Sequence, residues 1–306
     1  MSDYIWFEGI PFPSIVNRKE TFEEIRHKFV IRDEDTIILA YPKSGSHWLV
    51  EIVCLIQTKG NPEWVQTVSV WDRSPWIETE SGRQNLINKK GPHLMASHLP
   101  FHLFPKSFFS SKAKVIYVIR NPRDVLVSGY FFWCKTKLVK KAESLRTYFE
   151  WFLKGHVPFG SWFEHTRGWL SMRGSENFLL LSYEDMKKVT VILITTSYLT
   201  GFVSLIEVDS GDDEAIEKIC DFLGKKLEPQ ELDMVLKYSS FQAMKENKMS
   251  NFSLMPKDLI TKGFDFMRKG ITGDWKNHFT VAESETFNKV FQEKMAGFPP
   301  GIFPWE

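Results

Sequence analysis

Thr36-Ile37-Ile38-Leu39-Ala40-Tyr41-Pro42-Lys43-Ser44-Gly45-Ser46-His47-Trp48 is the stretch whose reading decides the fold. Its first five residues are a short apolar, β-branched run, the pattern of a buried strand. Beyond the turn, Trp48, Leu49, Ile52, Val53, Leu55 and Ile56 recur at helical spacing. A Lys-Ser-Gly-Ser turn therefore joins a strand to the start of a helix. Free backbone N–H groups and the positive end of the helix dipole suit such a turn to an anion, above all a phosphate. Lys43 adds a mobile charge, and Ser44 and Ser46 add short donors. The bland alternative is an ordinary loop with a solvated lysine. The G-x-x-x-x-G-K-[ST] pattern of ATP and GTP sites is absent, because Lys43 precedes Gly45 and residue 40 is alanine. That favours a different nucleotide and counts against a kinase.

Outward from the turn, Leu94–Ser97, Lys114–Arg120 and Phe178–Ser182 read as further buried strands. Helices are expected near Thr21–Lys28, Ser144–Lys154, Gly160–Met172, Ala215–Leu223, Glu228–Leu236 and Val281–Met295, with Pro122 starting another. Residues 1–35 read as a lead-in, and residues 60–92 as long loops rich in Trp, Pro and Gly. Alternating strands and helices predict an α/β fold: a single domain over 1–306 with a central parallel sheet flanked by helices. Ligands in such folds sit at the carboxyl ends of the strands, where the Lys43 turn lies.

A net charge of +1 over 306 residues excludes bulk nucleic-acid binding, so any anion site is built locally. The 26 Phe and 11 Trp suit a cavity for flat apolar molecules, although a core accounts for most of them. Cys54, Cys134 and Cys220 are far apart and odd in number, which points to reduced thiols in a cytoplasmic protein. No secretory signal and no metal-ligand cluster are apparent.

Three further constellations carry chemistry. Arg120-Asn121-Pro122-Arg123-Asp124 closes a strand, so Arg120 is expected on the same sheet edge as Lys43, with Ser128 two helical turns on. Arg120 paired with Asp124 is the structural alternative. Arg268-Lys269-Gly270, among Gly263 and Gly273, places two cations in a loop whose backbone can approach a ligand. An exposed basic dipeptide is the alternative there. His98, between Ser97 and Leu99-Pro100, closes a short strand, and its neutral imidazole can take a proton from an alcohol. The alternative is a histidine satisfied structurally in a loop.

These four elements, in this order, resemble the cytosolic sulfotransferase family. Trp6-Phe7-Glu8-Gly9-Ile10 and Phe303-Pro304-Trp305-Glu306 resemble its hydroxysteroid, or bile-salt, branch. The resemblance implies sulfuryl transfer from 3′-phosphoadenylyl sulfate (PAPS) to a hydroxyl of a steroid, bile acid or similar apolar alcohol, without a metal. It implies a P-loop-like strand–turn–helix in which Lys43, Ser44, Gly45 and Ser46 hold the phosphosulfate and Trp48 stacks on adenine; His47, though not the family's residue there, can still donate to the phosphate. By the same resemblance Arg120, Ser128, Arg268, Lys269 and Gly270 hold the 3′-phosphate. Tyr183, Ser239 and Phe241 make further nucleotide contacts. His98 is the implied catalytic base, and Lys43 neutralises the leaving phosphate. Trp71, Trp76, Phe132 and Trp133 match the acceptor pocket. Ala96 stands where phenol-type relatives carry Lys. Lys276, Thr280, Val281 and Glu285 match a homodimer pattern; Thr280 as a helix cap is the plainer reading.

Two features depart from the family. His47 stands where relatives carry Asn or Thr. Val189–Ser210 is an apolar insert without counterpart, read as a hairpin or as added sequence rather than as a membrane span. Because it follows Tyr183, the alternative to an active enzyme is an impaired homologue that still binds PAPS or steroid.

Overall fold

The computed structural model describes residues 4–187 and 214–305, so the expected insert Val189–Ser210 lies outside the described residues. The strands are β1 (Tyr4–Phe7), β2 (Ile10–Pro13), β3 (Thr36–Ala40), β4 (Leu94–Ser97), β5 (Lys114–Ile119) and β6 (Phe178–Ser182). The last four form one parallel sheet in the order β4-β3-β5-β6. Ile38 aligns with Ala96 on one side and with Ile116 on the other. From β3 the chain goes to one side of the sheet, and from β5 it goes to the other. The carboxyl ends of these two neighbours thus frame a topological switch point, the usual ligand crevice of an open α/β sheet.

The helices are α1 (Lys19–Lys28), α2 (Ser46–Gln57), α3 (Glu63–Thr67), α4 (Val70–Arg73), α5 (Glu80–Asn88) and α6 (Pro122–Cys134). They continue with α7 (Leu145–Lys154), α8 (Trp162–Leu170), α9 (Glu214–Leu223), α10 (Pro229–Ser239), α11 (Phe241–Glu246) and α12 (Val281–Lys294). Strand alternation divides the interior in two. Ile37, Leu39, Val115, Tyr117 and Ile119 pack with residues of α1, α6, α7, α8 and α12. Ile38, Ala40, Ile116 and Val118 pack with α2, α9 and α10. Both faces are covered, which is why these strands are apolar throughout rather than alternating.

Strands β3, β4 and β6 coincide with the sequence-based spans, and β5 ends one residue earlier, at Ile119. Two expectations need correction. Residues 60–92 are not long loops: they hold α3, α4 and α5. These helices bury only one or two residues each, so they show no apolar stripe. Local bonds hold them instead, as where Thr79 Oγ1 accepts the Gly82 N–H at 3.1 Å. The lead-in also contains a β1–β2 hairpin, turned by Glu8 and Gly9 at φ 45° and 78°.

One buried ion pair fixes α2 against α4. Arg73 Nη2 donates to Glu51 Oε2 at 2.7 Å, and both side chains are fully buried. Ser250 Oγ donates to Glu51 Oε1 at 2.9 Å, and Arg73 Nε donates to Val68 O at 2.9 Å. Burial raises the Glu51 pKa, and Arg73 opposes that rise. Arg73→Met leaves a buried carboxyl unpaired and is expected to cost about 3–5 kcal/mol of unfolding free energy. Urea denaturation checks this, with Glu51→Leu/Arg73→Met recovering most of the loss; a double variant as unstable as the single one would contradict it.

Candidate functional site

The turn after β3 is a strained cradle. Lys43 and Gly45 have φ of 70° and 106°, and Gly45 caps α2 without a side-chain bond. The first N–H groups of α2 therefore have no intrahelical acceptor. A Cβ on Gly45 would meet Tyr183 Cδ2 at 2.7 Å, so glycine is required both for conformation and for the Tyr183 ring. Tyr183 also meets Trp48 edge to face, with centroids 5.4 Å apart. Lys43 Nζ lies 4.1 Å from the ring centres of Phe132 and Phe266. Burial, then the charges of Arg120 and Arg268, lower its pKa to about 7. The two ring faces work the other way, favouring the ammonium.

A second cationic group adjoins this turn. Arg120 follows β5, and its Nη1 and Nη2 donate to Lys43 O at 3.0 Å and Ile271 O at 3.1 Å. Its guanidinium lies 4.2 Å over the Tyr183 ring. Asp124 is not its partner; that carboxylate instead accepts the Gly273 N–H at 2.7 Å and the Trp275 N–H at 3.0 Å. The glycine-bearing loop is thus tied down at both Ile271 and Gly273. Gly270 lies against Phe241 so closely that a Cβ would fall 2.2 Å from its ring. Arg268 and Lys269 both reach Asp274, at 2.8 and 2.7 Å. Burial pushes the Asp274 pKa up, but hydrogen bonds from Lys269, Asn277 and Arg268 prevail and hold it well below the usual range.

Both groups open onto one cavity of about 270 Å³. Trp71, Trp76, Phe132 and Trp133 line it, as do His98 and Ser128. His98 Nδ1 lies 2.5 Å from Ala40 O. A carbonyl can only accept, so Nδ1 carries the proton and Nε2 keeps its lone pair. Burial, and to a lesser extent Lys43, lower the His98 pKa to about 4, while the Ala40 bond opposes this. The ring is therefore neutral near pH 7. His165 Nε2 donates to His98 O at 3.2 Å, and Tyr117 O–H donates to His165 Nδ1 at 3.1 Å.

Lys43, Gly45, Ser46, His47, Trp48 and Arg120 line this cavity, with Tyr183, Phe241, Arg268, Lys269 and Gly270. Ser44 and Ser239 do not. Ser44 is wholly buried beneath the turn, its N–H on Tyr41 O at 3.2 Å, and Ser239 is buried at the end of α10. Their positions in the motif say nothing of which way the backbone turns them. Sequence reasoning missed Glu78, Phe159, Phe252 and Phe266 as lining residues. Phe252 and Phe266 stack at 3.9 Å and flank the His47 ring. Only the Phe266-Met267-Arg268 adjacency hinted at this.

The site fits a doubly anionic nucleotide. Ser44 Oγ, His47 Nε2, Trp48 Nε1 and Arg120 Nε are buried without hydrogen-bond partners. Buried orphans of this kind mark where a ligand would supply partners. Among the described residues, no group of three or more His, Cys, Asp or Glu side chains is arranged to hold a metal.

The Sulfotransferase domain family matches residues 33–191 and 211–299. The chain belongs to the sulfotransferase family. The family match omits 192–210, inside the expected insert. Sulfotransferase 2A6 of Rattus norvegicus is 66% identical over 306 residues, covering 100% of both chains. The 3-beta-hydroxysteroid sulfotransferase of Cavia porcellus is 59% identical, covering 100% of this chain and 99% of that one. These relatives place the chain in the hydroxysteroid branch. Among solved structures, mouse sulfotransferase SULT7A1 complexed with PAP aligns with a TM-score of 0.75 at 27% identity, over 97% of this chain and 95% of that one. Retinol dehydratase in complex with androsterone and PAP shares the fold, with a TM-score of 0.77 at 21% identity over 97% and 91%.

Burial and the neighbouring Arg120 and Arg268 lower the Lys43 pKa to about 7, so binding an anion beside it at pH 8 is expected to take up a proton. Calorimetric titration with PAP in buffers of different ionisation enthalpy is expected to show uptake at pH 8 that is smaller at pH 6. The Lys43→Met variant should lose that difference; a variant with unchanged uptake would assign the proton elsewhere.

Proposed function

We propose that this chain transfers a sulfuryl group from PAPS to a hydroxyl of a steroid, bile acid or similar apolar alcohol. The observation that carries this reading is the His98 tautomer. Its lone-pair nitrogen belongs to a ring lining an aromatic cavity that also contains the Lys43 turn. PAPS supplies the electrophilic sulfur and a phosphate leaving group. His98 Nε2 takes the acceptor proton as the acceptor oxygen bonds to sulfur and the sulfur–phosphate oxygen bond breaks. The low basicity of His98 keeps it unprotonated and ready, at the expense of driving force. Lys43 Nζ meets the charge that grows on the departing phosphate. The N–H groups at the start of α2, with Ser46 and His47, hold the 5′ end, and Trp48 and Tyr183 flank the base. Ser44 acts from beneath the turn. Arg120, Ser128, Arg268, Lys269 and Gly270 hold the 3′-phosphate, which replaces Asp274 as partner of the two loop cations. Phe241 closes that side, with Ser239 supporting it. Trp71, Trp76, Phe132 and Trp133 receive the flat acceptor. The Cavia porcellus relative's name supports a steroid.

The whole chain acts as one domain. Three free thiols suit the cytoplasm, and no helix among the described residues is long and apolar enough to cross a membrane. We also propose a homodimer through Lys276, Thr280, Val281 and Glu285. Val281 is 77% exposed at the start of α12, while Thr280 caps that helix in a box with Glu283.

Transfer of labelled sulfate from PAPS to a panel of steroids and bile acids tests the reaction. His98→Ala is expected to lose at least about 10²-fold in kcat with PAP affinity retained. Arg268→Ala is expected to do the reverse, weakening PAP by about tenfold or more. Parallel loss of both properties in His98→Ala would remove its role as base. For the dimer, Val281→Glu should halve the mass measured by light scattering; an unchanged mass would place the interface elsewhere.

A further inference from the structure

Glu78 has no part in the roles assigned so far, yet it is held against His98. The segment that carries it runs beside β4 like a short added strand. Ala96 N–H donates to Pro75 O at 3.0 Å, and Ile77 N–H donates to Ala96 O at 3.1 Å. This pairing brings Glu78 level with His98, and its Oε1 accepts the His98 N–H at 2.7 Å. Glu78 is 1% exposed and lines the acceptor cavity. Its other oxygen, Oε2, is buried without a hydrogen-bond partner. All three hydrogen-bonding groups of His98 that do not face chemistry are thereby engaged: N–H by Glu78, C=O by His165, and Nδ1–H by Ala40.

We infer that Glu78 is a positioning residue for the transfer step: Oε1 holds the His98 backbone, and the protonation of Oε2 sets how readily the His98 ring accepts a proton. The unpartnered oxygen is where a proton sits when the carboxyl is neutral. Burial pushes the Glu78 carboxyl up to about 7, against the His98 N–H, its own N–H and Ser97. Below that pH Glu78 is neutral and adds no field. Above it the carboxyl that holds the His98 backbone N–H is charged, and its field favours the imidazolium that forms as the acceptor loses its proton. The sign follows: kcat rises as pH passes upward through about 7. Folding stability moves oppositely, because an acid of raised pKa loses its contribution as pH rises through that value.

Three other ionisable groups interact with His98. His47 on the phosphate turn is held well below its ordinary pKa by burial and then Lys43, and His165 on α8 is lowered to about 3. Both stay neutral across the range. Lys43 is charged when the nucleotide is bound, so it leaves the profile at saturating PAPS.

The inference rests on the sulfuryl-transfer reading. The test is kcat from pH 5.5 to 8.5 at saturating PAPS for the parent, Glu78→Gln and Glu78→Ala, with PAP affinity measured alongside as a check of folding. The parent should show a limb near pH 7. Glu78→Ala is expected to lose about 10–100-fold in kcat at every pH, with PAP affinity within about twofold of the parent. Gln still accepts the His98 N–H, so it should recover most of that loss at pH 6 while lacking the limb. A limb that persists in Glu78→Gln, or a kcat of Glu78→Ala within twofold of the parent, would overturn the inference alone. No transfer by the parent would overturn the reaction and the inference together.

Discussion

The Arg120 guanidinium donates at once to Lys43 O and Ile271 O, two carbonyls 228 positions apart in the numbering, and the site depends on that tie. One carbonyl belongs to the turn after β3 and the other to the loop before α12. Arg120 can reach both because β5 lies beside β3 and ends at the same level. Asp124, one turn further on, accepts the Gly273 and Trp275 N–H groups and holds the same loop a second time. Without these bonds the Arg268–Gly270 cations would have no defined distance from the Lys43 turn. With them, two cationic groups from distant parts of the chain share one cavity.

Crowding cations has an electrostatic consequence. Arg120 and Arg268 add to burial in driving the Lys43 pKa down, so the unliganded site resists its own charge. Asp274 offsets part of this by pairing with Arg268 and Lys269. The ring faces of Phe132 and Phe266 offset another part at Lys43. A ligand with two separated anionic groups relieves what remains, one group at the helix start and one at the loop. The aromatic wall beside these cations lowers the local dielectric, which strengthens each interaction.

The fold was largely legible in the sequence where a segment is buried on both sides. Strands β3, β4 and β6 match their apolar runs residue for residue, and Pro122 sits in the first turn of α6. Type and spacing alone singled out the Lys43 turn, while Arg120 and His98 were candidates whose roles only the family resemblance implied. Helices α3 to α5 could not be read that way, because caps and a buried Arg73 hold them rather than an apolar stripe. Ser44 and Ser239 belong to the site by motif position, and both are buried and absent from the cavity lining, which the motif does not reveal. The contact of Glu78 with His98 was not legible at all, since it comes from a segment pairing beside β4.

By itself, the sequence determined the strand–turn–helix, the parallel sheet and the chemical types gathered at its carboxyl edge. Those follow from local periodicity and from residues a few positions apart. Only the tertiary structure decided which cations pair with Asp274, which nitrogen of His98 carries the proton, and that Glu78 holds its backbone. Each of these depends on partners dozens to hundreds of positions away, brought within hydrogen-bond distance only when the sheet order and the loop anchors are complete.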